Sequence, residues 1–243
     1  MSAAPERMSK PLRRRDTVDT AWFLDFDHTL FNTDEFFHVD VRDSLRHFGI
    51  DSASWERGYT QAWQAGYTLE GHAEEIYRQS GSQLALDEMR RILRDSFSNL
   101  ERYIYPDVLP FLESAKRRRV GLYLLSVGDP EWQRYKVRGA RIDHYFASMF
   151  FVPKEGGKAN VILEQARGVQ KVLMVDNNPG ELDSIKDAAP LVRTYCINRV
   201  PHEMIVPGDE LSRLKFLDAR EYLEKRWRYQ HVPCRTLDDI VES

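Results

Sequence analysis

The stretch Asp25-Phe26-Asp27-His28-Thr29 lies at the end of an apolar run, AWFLDFDHTL. A run of that kind reads as a buried strand, which normally avoids aspartate, and two aspartates on one face would repel each other. Such a pair is either an acidic turn or part of a site that holds positive charge. Further polar groups close other apolar runs. Ser126 ends VGLYLLS and is followed by Val127 and Gly128, Lys158 comes just after PKEGG, and Asp176 ends KVLMVD ahead of NNPGE. Clustered carboxylates call for a cation, and hard oxygen ligands suit magnesium. A lysine and a hydroxyl beside that cation would hold the oxygens of a phosphate. One aspartate can then attack phosphorus and form an acyl phosphate, while the second protonates the leaving alcohol and later activates water.

These residues share a rim only if the intervening segments supply the right elements. From Tyr105 onward, segments 107–119, 130–140, 158–168 and 179–189 read as helices, the second with Asp129 as N-cap and Pro130 at its first position. Segments 120–126, 147–153, 171–176 and 191–197 read as strands, and 21–26 completes the set. Strands separated by single helices predict right-handed crossovers, hence an α/β fold: a three-layer, doubly wound parallel sheet. In such sheets ligands bind beyond the carboxyl ends of the strands, where all five polar groups fall. Between 33 and 102 the apolar spacing becomes helical, as in Trp55, Tyr59 and Trp63 or Met89, Ile92, Leu93 and Phe97, with breaks expected at Gly49, Gly66, Gly71 and Gly81. This region is expected to be a helical insertion after the first strand, and the Trp55/Tyr59/Trp63 stripe its own core. Residues 1–20 are expected to form a flexible leader, and 21–32 with 103–243 the α/β core. Near the end, 219–229 and 236–242 read as helices and 201–210 as loop.

With 243 residues, nearly balanced charge (net −3) and two cysteines, the chain reads as an ordinary globular protein. Cys196 and Cys234 lack Cys or His neighbours at zinc spacing. No apolar run approaches the roughly 18–20 residues of a membrane span, and residues 1–20 lack the apolar segment of a secretory signal. The Arg13–Arg15 run reads as a solvated tail. The expected setting is cytoplasmic and reducing, with neither nucleic acid nor membrane as partner. Rival signatures are missing: EGGKAN does not end in GK[ST], and there is no GxGxxG after a strand, no HExxH and no GxSxG.

Taken in order, DFDHT, Ser126, a downstream lysine and VDNNPGE resemble the four motifs of the haloacid dehalogenase superfamily. The resemblance covers 21–31 and about 105–198, and the insertion lies where many members carry a helical cap, here 33–102. The resemblance implies that Asp25 is the nucleophile and a magnesium ligand, and that Asp27 is the general acid/base with its backbone carbonyl on the metal. It implies that Ser126 hydrogen-bonds the phosphoryl group, that Lys158 neutralises its charge and that Asp176 completes the metal site. Thr29, Val127, Gly128 and Asn177 are placed on the phosphate-binding rim, Thr29 orienting the loop and Asn177 helping the metal or its waters. Lys154 competes with Lys158, which is preferred because it directly precedes the helix. Glu181 is a capping-box residue or an outer partner of the metal; members often carry aspartate four or five residues after the metal aspartate, where this chain has Gly180 and Glu181. His28 is expected to be structural. Members that dehalogenate lack an acid at the position of Asp27.

The function implied is a magnesium-dependent phosphohydrolase of a small phosphomonoester, working through an aspartyl phosphate, with the cap closing over the site and selecting the substrate. The alternatives are a phosphotransferase to an acceptor other than water and a catalytically idle module that binds a phosphorylated ligand or a partner protein. Phe36, Trp55, Trp63 and Tyr67 suit a ring or a sugar, or else cap packing. Arg57 and Arg78 are candidates for a second anionic group of the substrate.

Overall fold

The structure, a computed structural model, describes residues 19–80, 84–199 and 227–240. Strand β1 (Thr20–Leu24) leads into a turn and then a helical stretch. That stretch has a π-helical start, Asp34–Val41, followed by α1 (Arg42–Arg46), α2 (Ser52–Gln64), α3 (Leu69–Ser80) and α4 (Leu86–Asp95). The alternating part follows: α5 (Val108–Arg117), β2 (Gly121–Val127), α6 (Pro130–Gly139), β3 (Ser148–Val152), α7 (Lys158–Gln165), β4 (Lys171–Asp176), α8 (Pro179–Ala188) and β5 (Arg193–Ile197). A last strand, β6 (Val232–Cys234), precedes a single 3-10 turn, Leu237–Asp239.

The described strands all pair in parallel, in the order β3-β2-β1-β4-β5-β6. The two-residue period of β1 explains the layering. Ala21 and Phe23 pack with Ala159 and Ile162 of α7 and Leu182 and Ile185 of α8. Trp22 and Leu24 belong to the opposite apolar layer, with Val108, Phe111 and Leu112 of α5 and Val137 of α6. That second layer runs without a break into the helical stretch through Phe26, Phe31, Phe36 and Phe97. The interior of the helices and one face of the sheet are therefore a single packed body. Among the described residues no helix is long and apolar enough to cross a membrane.

Several local expectations shift. The first strand ends at Leu24, so both aspartates lie just beyond it, in a turn where the Leu30 and Phe31 amides donate to the Phe26 carbonyl at 2.9 and 3.0 Å. Gly71 does not break a helix but lies inside α3, its amide donating to Thr68 Oγ1 at 3.0 Å. Gly58, inside α2, permits close crossing of α2 and α3: a Cβ there would stand 2.9 Å from Ile76 Cγ1. The Trp55/Tyr59/Trp63 stripe divides, with Trp55 fully buried and Trp63 51% exposed. Residues 201–210 and most of 219–229 lie outside the described residues. Of the helix expected at 236–242, the described residues, which end at 240, form a 3-10 turn closed by a Thr236/Asp239 capping box, and 241–242 lie outside them.

Candidate active site

Three adjacent strand ends build the site. β1 lies between β2 and β4, and the sheet's strand order reverses at β1, the position where open α/β sheets form a crevice. Lys158, the first residue of α7, reaches across this crevice. Its ammonium donates to Asp25 Oδ1 at 2.7 Å and to Asp176 Oδ2 at 2.6 Å. All three side chains are buried. Burial would lower the Lys158 ammonium, but the two carboxylates raise it well above the usual lysine value. Burial also lifts Asp25, to about 6, because Lys158 only partly offsets it and Asp176 adds like charge. Asp176 is raised for the same leading reason. Of the two lysines weighed from the sequence, Lys158 makes these contacts, whereas Lys154 is exposed on the loop after β3.

Ser126 lies on β2, paired in register with Phe151. Its hydroxyl is buried and has no hydrogen-bond partner among the described residues, as is also true of Thr29 Oγ1 and Glu181 Oε2. Unsatisfied buried oxygens are uncommon and mark places where a ligand or ion can supply the missing contact. Glu181 does not reach back to its N-cap as a capping-box residue would. Asn178 alone caps α8, accepting from the Gly180 and Glu181 amides at 2.9 and 3.4 Å. Glu181 Oε1 instead accepts from the Gly156 amide at 2.6 Å, pinning the β3–α7 loop to α8. Its carboxyl is pushed up, chiefly by burial. Asn177 is half-buried beside Asp176, and the Asn178 amide donates to Asp176 Oδ1 at 2.8 Å.

Asp27 has a separate set of partners. Lys136 Nζ donates to its two oxygens at 2.5 and 2.7 Å, Gln133 Nε2 at 2.9 Å and Thr33 Oγ1 at 2.7 Å. Burial would raise this carboxyl, yet the Lys136 charge and the Lys136 and Gln133 hydrogen bonds hold it below the usual carboxylate range. Sequence reasoning missed Lys136, Gln133 and Thr33. The available signal was the i, i+3 pair Gln133/Lys136, which lies on one face of a helix starting four residues after Ser126. Asp129 and Pro130 aim that helix, the Asp129 carboxylate accepting from the Trp132 amide at 2.8 Å. Gln133 also donates to the Val127 carbonyl at 2.8 Å.

That contact explains Gly128. At φ +136° a side chain is disfavoured, and a Cβ would stand 2.8 Å from Gln133 Nε2. The Gly128 amide donates to the Val152 carbonyl at 2.8 Å, so it is not the free donor that phosphate binding would use. Its part is conformational, and Val127 offers its carbonyl to Gln133.

The remaining expected residues are placed as follows. The Thr29 carbonyl accepts from Arg199 Nε at 3.0 Å, while Arg199 Nη1 bonds both oxygens of Asp107 at 2.8 Å, so the aspartate turn is braced from the start of α5. His28, in the left-handed region at φ +56°, pairs with Asp34 at 3.3 Å. Its value is raised, because Asp34 and the nearby aspartates outweigh its burial. Arg57 and Arg78 face elsewhere: Arg57 donates to Gln79 and Ser54 at 3.2 and 3.1 Å, and Arg78 pairs with Glu75 at 2.6 Å. Neither lines the cavity that opens on Asp27. Cys196 and Cys234 are buried free thiols, each pushed up to about 12, chiefly by burial.

The residues present fit a hard divalent cation. Among the described residues no three His, Cys, Asp or Glu side chains form a metal cluster. The donors the resemblance implies are the Asp25 and Asp176 carboxylates, both held by Lys158, with the Asp27 main-chain carbonyl. Asp25 and Asp176 share the single Lys158 ammonium, and Glu181, bonded to the Gly156 amide, is a further buried carboxyl that feels the charge of Lys158. That leaves negative charge for a cation to balance, with oxygen donors of the kind magnesium takes.

No family model matches the chain. A phosphoserine phosphatase from Thermus thermophilus is 30% identical over 148 residues, which is 56% of this chain and 59% of that protein, so the chain spans less than two thirds of its length. Among solved structures, a haloacid dehalogenase-like hydrolase from Burkholderia xenovorans superimposes with a TM-score of 0.63 at 20% identity, over 89% of this chain and 94% of the other. An L-2-haloacid dehalogenase from Xanthobacter autotrophicus gives 0.60 at 19% identity, over 90% and 96%. At these identities the likeness is one of fold. The resemblance first carried by the motifs and the similarity of architecture agree, and the chain has the haloacid dehalogenase-like fold.

Proposed function

We propose that this chain is a magnesium-dependent phosphohydrolase that cleaves a small phosphomonoester through a phosphorylated Asp25. One observation carries the proposal: Lys158 bridges Asp25 and Asp176 while on β2, the strand next to β1, the buried Ser126 hydroxyl has no partner among the described residues. An ammonium and a free hydroxyl flanking a carboxylate are what a phosphoryl group needs while that carboxylate attacks it. Magnesium, held by Asp25, Asp176 and the Asp27 carbonyl, would supply further charge neutralisation at the phosphoryl oxygens.

Asp25 attacks phosphorus in line, Ser126 donates to a phosphoryl oxygen, and Lys158 balances the charge carried by Asp25 and the transferring group. Asp27 protonates the departing oxygen and afterwards takes a proton from the water that releases phosphate. Its ionised resting state suits the second task. The first requires the carboxyl to be protonated as it meets the leaving oxygen, against the pull of Lys136 and Gln133. The curated relative named as a phosphatase supports this chemistry. Asp27 argues against dehalogenation, because halide leaves as a stable anion and needs no proton donor. Helices α1–α4 act as the cap, shielding the phosphoryl group from bulk water.

The test is phosphate release from p-nitrophenyl phosphate and from a panel of small phosphomonoesters, with magnesium and with EDTA, for the natural chain and Asp25→Asn. Release that needs magnesium and falls by about 1,000-fold or more in the variant is expected, as for loss of a nucleophile. Release unaffected by either change would contradict the proposal.

A further inference from the structure

A cavity of about 430 Å³ opens on Asp27, between the helical stretch and the ends of β1 and β2. That is the size of a small-molecule site. Its walls include Asp27, Val127, Gly128 and Lys136, but not Asp25, Ser126, Lys158 or Asp176. The phosphoryl group belongs with the second set, where the nucleophile and the free hydroxyl are. On the reading proposed above, on which this inference rests, Asp27 delivers its proton to the departing oxygen. The leaving group therefore extends past Asp27 into this cavity.

A third of the cavity's lining residues are aromatic. Phe36, Phe37, Tyr59, Trp63, Tyr67 and Trp132 line it, with Tyr59 and Trp63 stacked at 6.3 Å between centroids and Tyr67 tilted against Trp132 at 5.5 Å. The rings are held in place: Phe36, Phe37 and Tyr67 are buried, and the Tyr67 hydroxyl bonds His72 Nδ1 at 3.2 Å. Trp63, half exposed, stands at the mouth. The charges offer little to an anion. Among the described lining residues the basic groups are His28, paired with Asp34, Lys136, held by Asp27, and the exposed Lys154, while Asp27, Asp129 and Glu155 are acidic. A leaving group bearing a carboxylate or a second phosphate would lose its water without gaining a buried partner. A flat, uncharged ring would stack on the walls and bury apolar area.

We infer that the substrate is a phosphomonoester whose leaving group is an uncharged aromatic alcohol, and that phosphoserine, with its carboxylate and ammonium, is a poor fit. The test compares kcat/KM of the full chain, with magnesium, for benzyl phosphate, phosphoserine, glycerol 2-phosphate and phosphocholine. All four release an alkyl alcohol, so recognition and not leaving-group acidity sets the order. Benzyl phosphate is expected to lead by at least about tenfold, the scale of one well-filled apolar contact. Trp63→Ala should shrink that lead several-fold and Trp63→Phe should keep most of it. Because Trp63 is half exposed, neither change threatens the fold. Equal or better turnover of phosphoserine, glycerol 2-phosphate or phosphocholine would overturn the inference alone, phosphocholine pointing instead to an aromatic box for a cation. A lead untouched by Trp63→Ala would also overturn it. No hydrolysis of any of these, nor of acetyl phosphate, would overturn the phosphohydrolase proposal and this inference with it.

Discussion

Asp25 and Asp27 stand two residues apart in one turn, and each touches a lysine, yet their surroundings drive them in opposite directions. Lys158 must serve Asp176 as well as Asp25, in a place where every partner is buried, and burial lifts Asp25 to about 6. Asp27 has Lys136 to itself, two further donors in Thr33 and Gln133, and a side chain 23% exposed, so its carboxyl is held down. What distinguishes them is the number of donors per carboxylate, not contact with a lysine as such. Neighbouring carboxyls pushed apart in this way can divide acid–base and nucleophilic work between them.

The comparison is broken most severely at the lysines. Lys158→Met strands two buried carboxylates and should lower stability by about 3–5 kcal/mol, as for a buried ion pair that loses one member. Lys136→Met leaves Asp27 with Thr33, Gln133 and some solvent, and should lower it by only about 1–2 kcal/mol. Urea unfolding in EDTA near neutral pH measures both, and equal losses would show that the two sides are not different environments.

A finer test removes each acid in turn. The folded value of Asp25 lies above its ordinary 3.8, so its contribution favours the fold below that value and is lost as pH rises to about 6. Across that interval the fold loses something on the order of 3 kcal/mol in all, because the buried group ionises less readily than in the unfolded chain. The folded value of Asp27 lies below 3.8, so its contribution is present above 3.8 and lost as pH falls through the folded value. Near neutral pH in EDTA, Asp25→Asn should therefore stabilise the fold by about 1–3 kcal/mol, and Asp27→Asn should destabilise it by about 1–3 kcal/mol. Changes of the same sign would contradict the electrostatic division.

The sheet was largely legible in the sequence because each strand carries its own apolar run and each crossover helix its own cap. β4 spans Lys171–Asp176 as expected, and Asp129 and Asn178 cap α6 and α8 through their side chains. β6 was not legible. Three residues with a proline at the centre have no strand signature, and pairing with β5 makes the strand. In the site, Asp25, Ser126, Lys158 and Asp176 could be expected together because each ends a strand or starts a helix. Lys136 could not, since it lies within α6 rather than at its start, and its bond to Asp27 depends on how that helix lies across the turn. The Trp55/Tyr59/Trp63 stripe also resisted sequence reading, because one helical face starts in the core and ends at the cavity mouth.

The most direct test of the division between Asp25 and Asp27 is a rapid-quench experiment with p-nitrophenyl phosphate and magnesium. The leaving group needs no proton, so Asp27→Asn should release one equivalent of p-nitrophenolate in a burst and then stall. Its phosphoryl group should remain on the peptide containing Asp25, because no base activates water. Asp25→Asn should give neither burst nor phosphorylated peptide. A burst in Asp25→Asn, or steady turnover in Asp27→Asn at the natural rate, would contradict the assignment of attack to one aspartate and proton transfer to the other.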